Sequence, residues 1–147
     1  MIVRELVVSY RPHASSASIN ETPMRTPRDI VPVVSALLSH EPQEVFGVLL
    51  LDSRHRVIAY RELHRGTINS TLVRPAEVFQ QALLVNAAAM IVCHNHPSGD
   101  PSPSPDDNAL TRRLAAAAVL MEVPLLDHVI IGADDAHFYS YKQDGVL

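Results

Sequence analysis

The side chains with the most chemistry to offer lie in one stretch, His94-Asn95-His96-Pro97-Ser98-Gly99-Asp100-Pro101-Ser102-Pro103-Ser104-Pro105-Asp106-Asp107. The apolar run Ala87-Ala88-Ala89-Met90-Ile91-Val92 leads into it and reads as a buried strand. Residues i and i+2 of a strand share a face, so His94 and His96 converge at its C-terminal end. Ser104 is a good helix N-cap, Pro105 suits the first helical position, and Asp107 falls three residues after the cap. Two neutral imidazoles and one carboxylate make a three-ligand set whose fourth position is left for water, the composition of a catalytic rather than a structural zinc site. We read His94, His96 and Asp107 as the metal ligands and one Zn2+ as the cofactor. A His-x-His pair alone is common on half-exposed strands, and acid in a first helical turn is expected from the helix dipole alone. The joint pattern is what points to a metal. Two His and one carboxylate also describe non-haem iron sites. Zinc deaminases pair His-x-Glu with a later Pro-Cys-x-x-Cys, whereas this sequence has one cysteine.

His94-x-His96-Pro97, with Ser104 and Asp107 downstream, resembles the JAMM motif of JAB/MPN-type metalloproteases. The wording His-Asn-His-Pro-Ser-Gly-Asp-Pro resembles the RadC branch of that superfamily, as do Gly66-Thr67-Ile68-Asn69-Ser70 and Leu126-Asp127-His128. The likeness runs from Glu44 to the C-terminus. It implies a three-layer α/β/α fold with a mixed central sheet, related in shape to cytidine deaminases. It also implies a zinc-dependent metallopeptidase that hydrolyses peptide or isopeptide bonds through a metal-activated water, and its order of residues argues against iron. Such chemistry needs a carboxylate beside the water but off the metal. Glu41, Glu44, Glu62, Glu77 and Glu122 are available, and spacing does not choose among them. The resemblance chooses Glu44 as general acid and base, and gives Ser104 a part in stabilising the oxyanion besides its helix cap. Asp100 reads as a turn former, with a hydrogen bond to an imidazole as its functional alternative, and a ligand role for His128 is disfavoured because three ligands and water complete the count.

Two rival readings remain in view. A JAB/MPN domain can serve as a non-catalytic, metal-stabilised interaction module, here with the DNA-repair association of the RadC label. The same site can also be imagined in a metal-dependent nuclease. Longer relatives carry a helix-hairpin-helix segment before this domain, and the stretch before Glu44 holds no recognisable hairpin of that kind. A net charge of −4 gives no general basic footprint for nucleic acid, although Arg54-His55-Arg56 and Arg112-Arg113 are local candidates. A peptide or protein substrate is the expected partner.

The positioning elements follow from patterning. The 147 residues, 47% hydrophobic and 19% charged, suffice for one globular core without staples. The single Cys93 alternates away from the two imidazoles and reads as a buried small apolar residue. The longest apolar run is far below membrane length and no signal peptide is evident, so no membrane association and a cytoplasmic location are expected. Residues 1–25 read as an N-terminal strand (2–10) and a flexible connector (12–20), and 26–147 as the RadC-like JAB/MPN domain. Thr26-Pro27-Arg28-Asp29 starts a helix whose stripe is Ile30, Val33, Val34, Leu37 and Leu38. Val45–Leu51 and Arg56–Leu63 form a hairpin, a helix begins at Pro75, and another carries Leu110, Leu114, Ala117, Ala118 and Met121 on one face. Strands are expected at Leu125–Ile131 and His137–Tyr141. His13, His40, His55, His64 and His137 are assigned to the surface.

Overall fold

Strands whose residues are apolar at every position must be covered on both faces, and that requirement organises the fold. The computed structural model describes residues 1–14, 21–69 and 72–147. Its elements run α1 (Pro27–Leu38), β1 (Val45–Leu51), β2 (Val57–Arg65), α2 (Pro75–Leu84), β3 (Ala89–Asn95), α3 (Pro105–Met121), β4 (Leu125–Ile131) and β5 (Phe138–Ser140). The sheet order is β2-β1-β3-β4-β5. β3 and β4 are parallel, joined by α3, and the other neighbours are antiparallel, so the sheet is mixed.

All seven residues of β1 and of β3 are buried. Val45, Leu49, Leu51, Ala89, Ile91 and Cys93 pack beneath α1, while Phe46, Val48, Leu50, Met90 and Val92 pack under α2 and α3. The result is the expected α/β/α layering. α1 starts where Thr26 predicts, with the Asp29 carboxylate accepting from Thr26 N at 2.9 Å. Among the described residues no helix is long and apolar enough to cross a membrane.

Residues 2–10 are not a strand. They lie exposed, with Ile2 at 87% and Leu6 at 78%, and they join no ladder among the described residues. Their alternation is imperfect, and an extended segment that buries no face and pairs with no edge gains nothing to offset its ordering entropy. The connector expected over 12–20 falls, for residues 15–20, outside the described residues, as does Ser70 of the Gly66–Ser70 motif.

Candidate metal centre

β3 ends beside the start of α3, and the motif bends between them. Gly99 adopts φ +90°, and a Cβ on Gly132 would collide with the Gly99 carbonyl oxygen. His96 N donates to Ile131 O at 2.8 Å and Ala133 N to Gly99 O at 3.1 Å. The loop is thereby pinned to the end of β4, with glycine required at both points of closest approach.

His94, His96 and Asp107 come together as a group able to hold a metal. His94 Nε2 lies 3.0 Å from His96 Nε2 and 3.2 Å from Asp107 Oδ1, and His96 Nε2 lies 3.2 Å from Asp107 Oδ2. Ligands about 2.0–2.1 Å from a tetrahedral ion are roughly 3.3 Å apart, so the spacing fits such an ion. His94 and Asp107 are buried, whereas His96 is only half-buried and forms the open side. Burial acts to raise the Asp107 carboxyl, but its contacts with the two imidazoles outweigh that and hold the carboxyl well below its ordinary range. Burial likewise acts to lower His96, while Asp107 and the Asp100 carbonyl prevail and hold it above its ordinary value.

Each ligand is oriented by a second bond. The Asp107 carboxylate accepts from Ser104 N at 2.8 Å while Ser104 Oγ accepts from Asp107 N at 3.0 Å, a complete capping box. His96 Nδ1 lies 2.9 Å from Asp100 O. A carbonyl only accepts, so Nδ1 carries the proton and a neutral His96 presents a bare Nε2 to the site. Asp100 thus does meet an imidazole, through its backbone oxygen. Its carboxylate makes the turn, accepting from Ser102 N at 3.0 Å and Ser102 Oγ at 2.7 Å.

Among the acids, position separates Glu44 from the rest. β1 begins at the residue after Glu44 and pairs with β3 as far as Phe46 opposite His94, which brings Glu44 to the end of the sheet that carries the two imidazoles. Its charge acts on His96, and its Oε2 accepts from Ile68 N at 2.9 Å, a donor supplied by the Gly66–Asn69 turn. Glu41 and Glu62 are engaged by Arg65 at 2.6 and 2.5 Å, Glu77 by Arg74 at 3.2 Å, and Glu122 caps the far end of α3. Cys93 faces away, fully buried beneath α1, and burial pushes its thiol up to about 12.

His128 adjoins the three residues without joining them. It is fully buried, its Nε2 lies 2.9 Å from His94 Nδ1, and Thr111 Oγ1 lies 2.6 Å from its Nδ1. Burial and the neighbouring His94 drive its pKa well below the ordinary histidine value. The available signal was Asp127-His128 itself, two polar residues in an otherwise apolar strand. Asp127 has a separate task, accepting from His128 N, Ser140 Oγ and Lys142 N at 2.7, 2.6 and 3.0 Å and so tying the turn after β5 to β4.

Comparison with known proteins bears on the same residues. Residues 24–146 match the family model described as RadC-like JAB domain. A UPF0758 protein of Pseudomonas syringae pv. syringae (strain B728a) is 47% identical over 137 residues, covering 93% of this chain and 60% of that protein. One from Thioalkalivibrio sulfidiphilus (strain HL-EbGR7) is 48% identical with the same coverage. One from Halorhodospira halophila (strain DSM 244 / SL1) is 54% identical over 114 residues, which are 78% of this chain and 50% of that protein. The chain therefore spans only about 50–60% of the length of these relatives.

Proposed function

We propose, from the premise that this chain belongs to the RadC-like JAB domain family, that it is a zinc-dependent hydrolase of the JAMM type acting on peptide or isopeptide bonds. One observation carries the reading: His94 Nε2, His96 Nε2 and the Asp107 carboxylate converge at the spacing of a tetrahedral ion, at the end of the sheet where Glu44 precedes β1. Zinc held there would supply a Lewis acid and bring the pKa of a water to about 7. Glu44 takes the proton from the attacking water and returns it to the leaving amine. Ile68 N holds one oxygen of its carboxylate. Ser104 Oγ accepts from Asp107 N, so its own proton stays available for the oxyanion of the tetrahedral intermediate. The substrate is a peptide or protein, and a cytoplasmic setting is supported by the lone buried cysteine, which suits a reducing compartment.

Metal analysis of the purified chain, combined with a peptide-library cleavage screen, tests this. About one equivalent of zinc is expected, together with its loss in His96→Ala. Glu44→Gln keeps the metal and loses cleavage. A fully active Glu44→Gln removes that residue from the mechanism, and unchanged zinc in His96→Ala removes the ligand assignment. A zinc-loaded chain that cuts no peptide while binding a partner equally well with and without Glu44 is an interaction module instead.

A further inference from the structure

We propose that His128 and Thr111 are positioning residues that lock His94 in the tautomer whose Nε2 is bare toward the metal; the proposal rests on the metal reading above. The assignment follows from counting protons along one chain of contacts. Thr111 Oγ1 lies 2.8 Å from the backbone oxygen of Asp107 and 2.6 Å from His128 Nδ1. A hydroxyl has one proton, and a carbonyl oxygen only accepts, so the Thr111 proton goes to Asp107 O. His128 Nδ1 must then be the donor to the Thr111 oxygen. A neutral imidazole carries one N–H, which leaves a lone pair on His128 Nε2, 2.9 Å from His94 Nδ1. His94 Nδ1 therefore bears the proton, and its Nε2 is left bare, 3.2 Å from Asp107 Oδ1 and 3.0 Å from His96 Nε2.

The opposite tautomer of His128 would leave the Thr111 and Asp107 oxygens facing each other at 2.8 Å with no proton between them. Packing holds the relay in place. The His128 ring stacks on Tyr141 at 4.9 Å and 13°, and lies edge-on to Phe46 at 5.9 Å. Tyr141 is itself anchored, its hydroxyl donating to Asn108 Oδ1 at 2.7 Å. The chain of bonds closes on one helical turn: Asp107 supplies a carboxylate to the site and, through its backbone oxygen, sets the proton on the neighbouring imidazole. His96 reaches the same state through the Asp100 carbonyl, so both imidazoles are prepared for a metal before any arrives.

The test uses the full chain as wild type, Thr111→Val, Thr111→Ser and His128→Phe. Long-range 1H–15N spectra of the metal-free protein read the His94 tautomer, and competition with a chromophoric chelator reads zinc affinity. Wild type and Thr111→Ser should show His94 as the Nδ1–H form with equal affinity. Thr111→Val and His128→Phe, which keep volume and ring packing, should mix the two tautomers and bind zinc about 10–100-fold more weakly. Circular dichroism identifies any variant that fails to fold, and the wild-type tautomer can overturn the proposal without any variant. An Nε2–H tautomer at His94 in the wild type overturns the proposal, as does Thr111→Val with unaltered tautomer and zinc affinity. A wild type that binds no zinc sinks the metal reading, and its His94 spectrum still shows whether the relay sets the proton.

Discussion

Asn95 sits between the two imidazoles and faces the other way. Its Oδ1 accepts from Val45 N at 2.7 Å and its Nδ2 donates to Gln43 O at 3.0 Å, so one side chain grips the backbone on either side of Glu44. Strand alternation makes this division of labour natural: two residues project toward the site and the one between them fastens the neighbouring strand. Removing a buried amide leaves Val45 N and Gln43 O without that partner, at a cost of about 1–3 kcal/mol. Asn95→Ala should therefore lower the urea midpoint while keeping zinc, and should lose hydrolysis because Glu44 is no longer fixed; unaltered turnover in a stably folded variant would show that Glu44 needs no such clamp. The cluster of His94, His96 and Asp107 was legible in the sequence because its spacing is local. The grip of Asn95 and the contact of His128 with His94 were not, since their partners lie 50 and 34 residues away and only the sheet brings them together. Glu44 needed the family likeness for the same reason.

The first turn of α3 combines two tasks that one substitution can separate. Ser104 is the N-cap, and its backbone N–H, not its hydroxyl, holds the Asp107 carboxylate at 2.8 Å. Glycine is nearly as good a cap, so Ser104→Gly should cost only a few tenths of a kcal/mol. If the hydroxyl also serves the oxyanion, cleavage should fall by about 10²–10³-fold with zinc content unchanged; a variant that keeps full cleavage reduces Ser104 to a cap. Helix starts were legible because Thr26-Pro27 and Ser104-Pro105 carry their signals within four residues. The buried face of α3 was less so. It includes Asp107 and Thr111 beside Leu110, Leu114 and Ala118, while Met121, counted in the apolar stripe, is 41% exposed. Apolar periodicity cannot see a threonine whose hydroxyl is satisfied inside. It also misled at residues 2–10, where a strand-like composition joins no ladder among the described residues.

For the molecule as a whole, the ligands span β3 and α3, and the loop between them is pinned to the end of β4. An ion gripped there joins elements that separate on unfolding, so its binding energy adds to folding stability. Zinc at 100 times its dissociation constant should stabilise the chain by about 2.7 kcal/mol. For a domain of this size that is roughly 5–11 °C in Tm. EDTA should reverse the shift, Glu44→Gln should show it in full, and His96→Ala should show little of it. Cys93 offers a second readout, being fully buried at the centre of the sheet. Its thiol reacts only when the sheet opens, and where closing outpaces labelling the rate follows the open population. Zinc at that excess should then slow the modification of Cys93 by about 100-fold, while in His96→Ala the rate should hardly change. Equal protection in both proteins would place the ion somewhere other than between His94, His96 and Asp107.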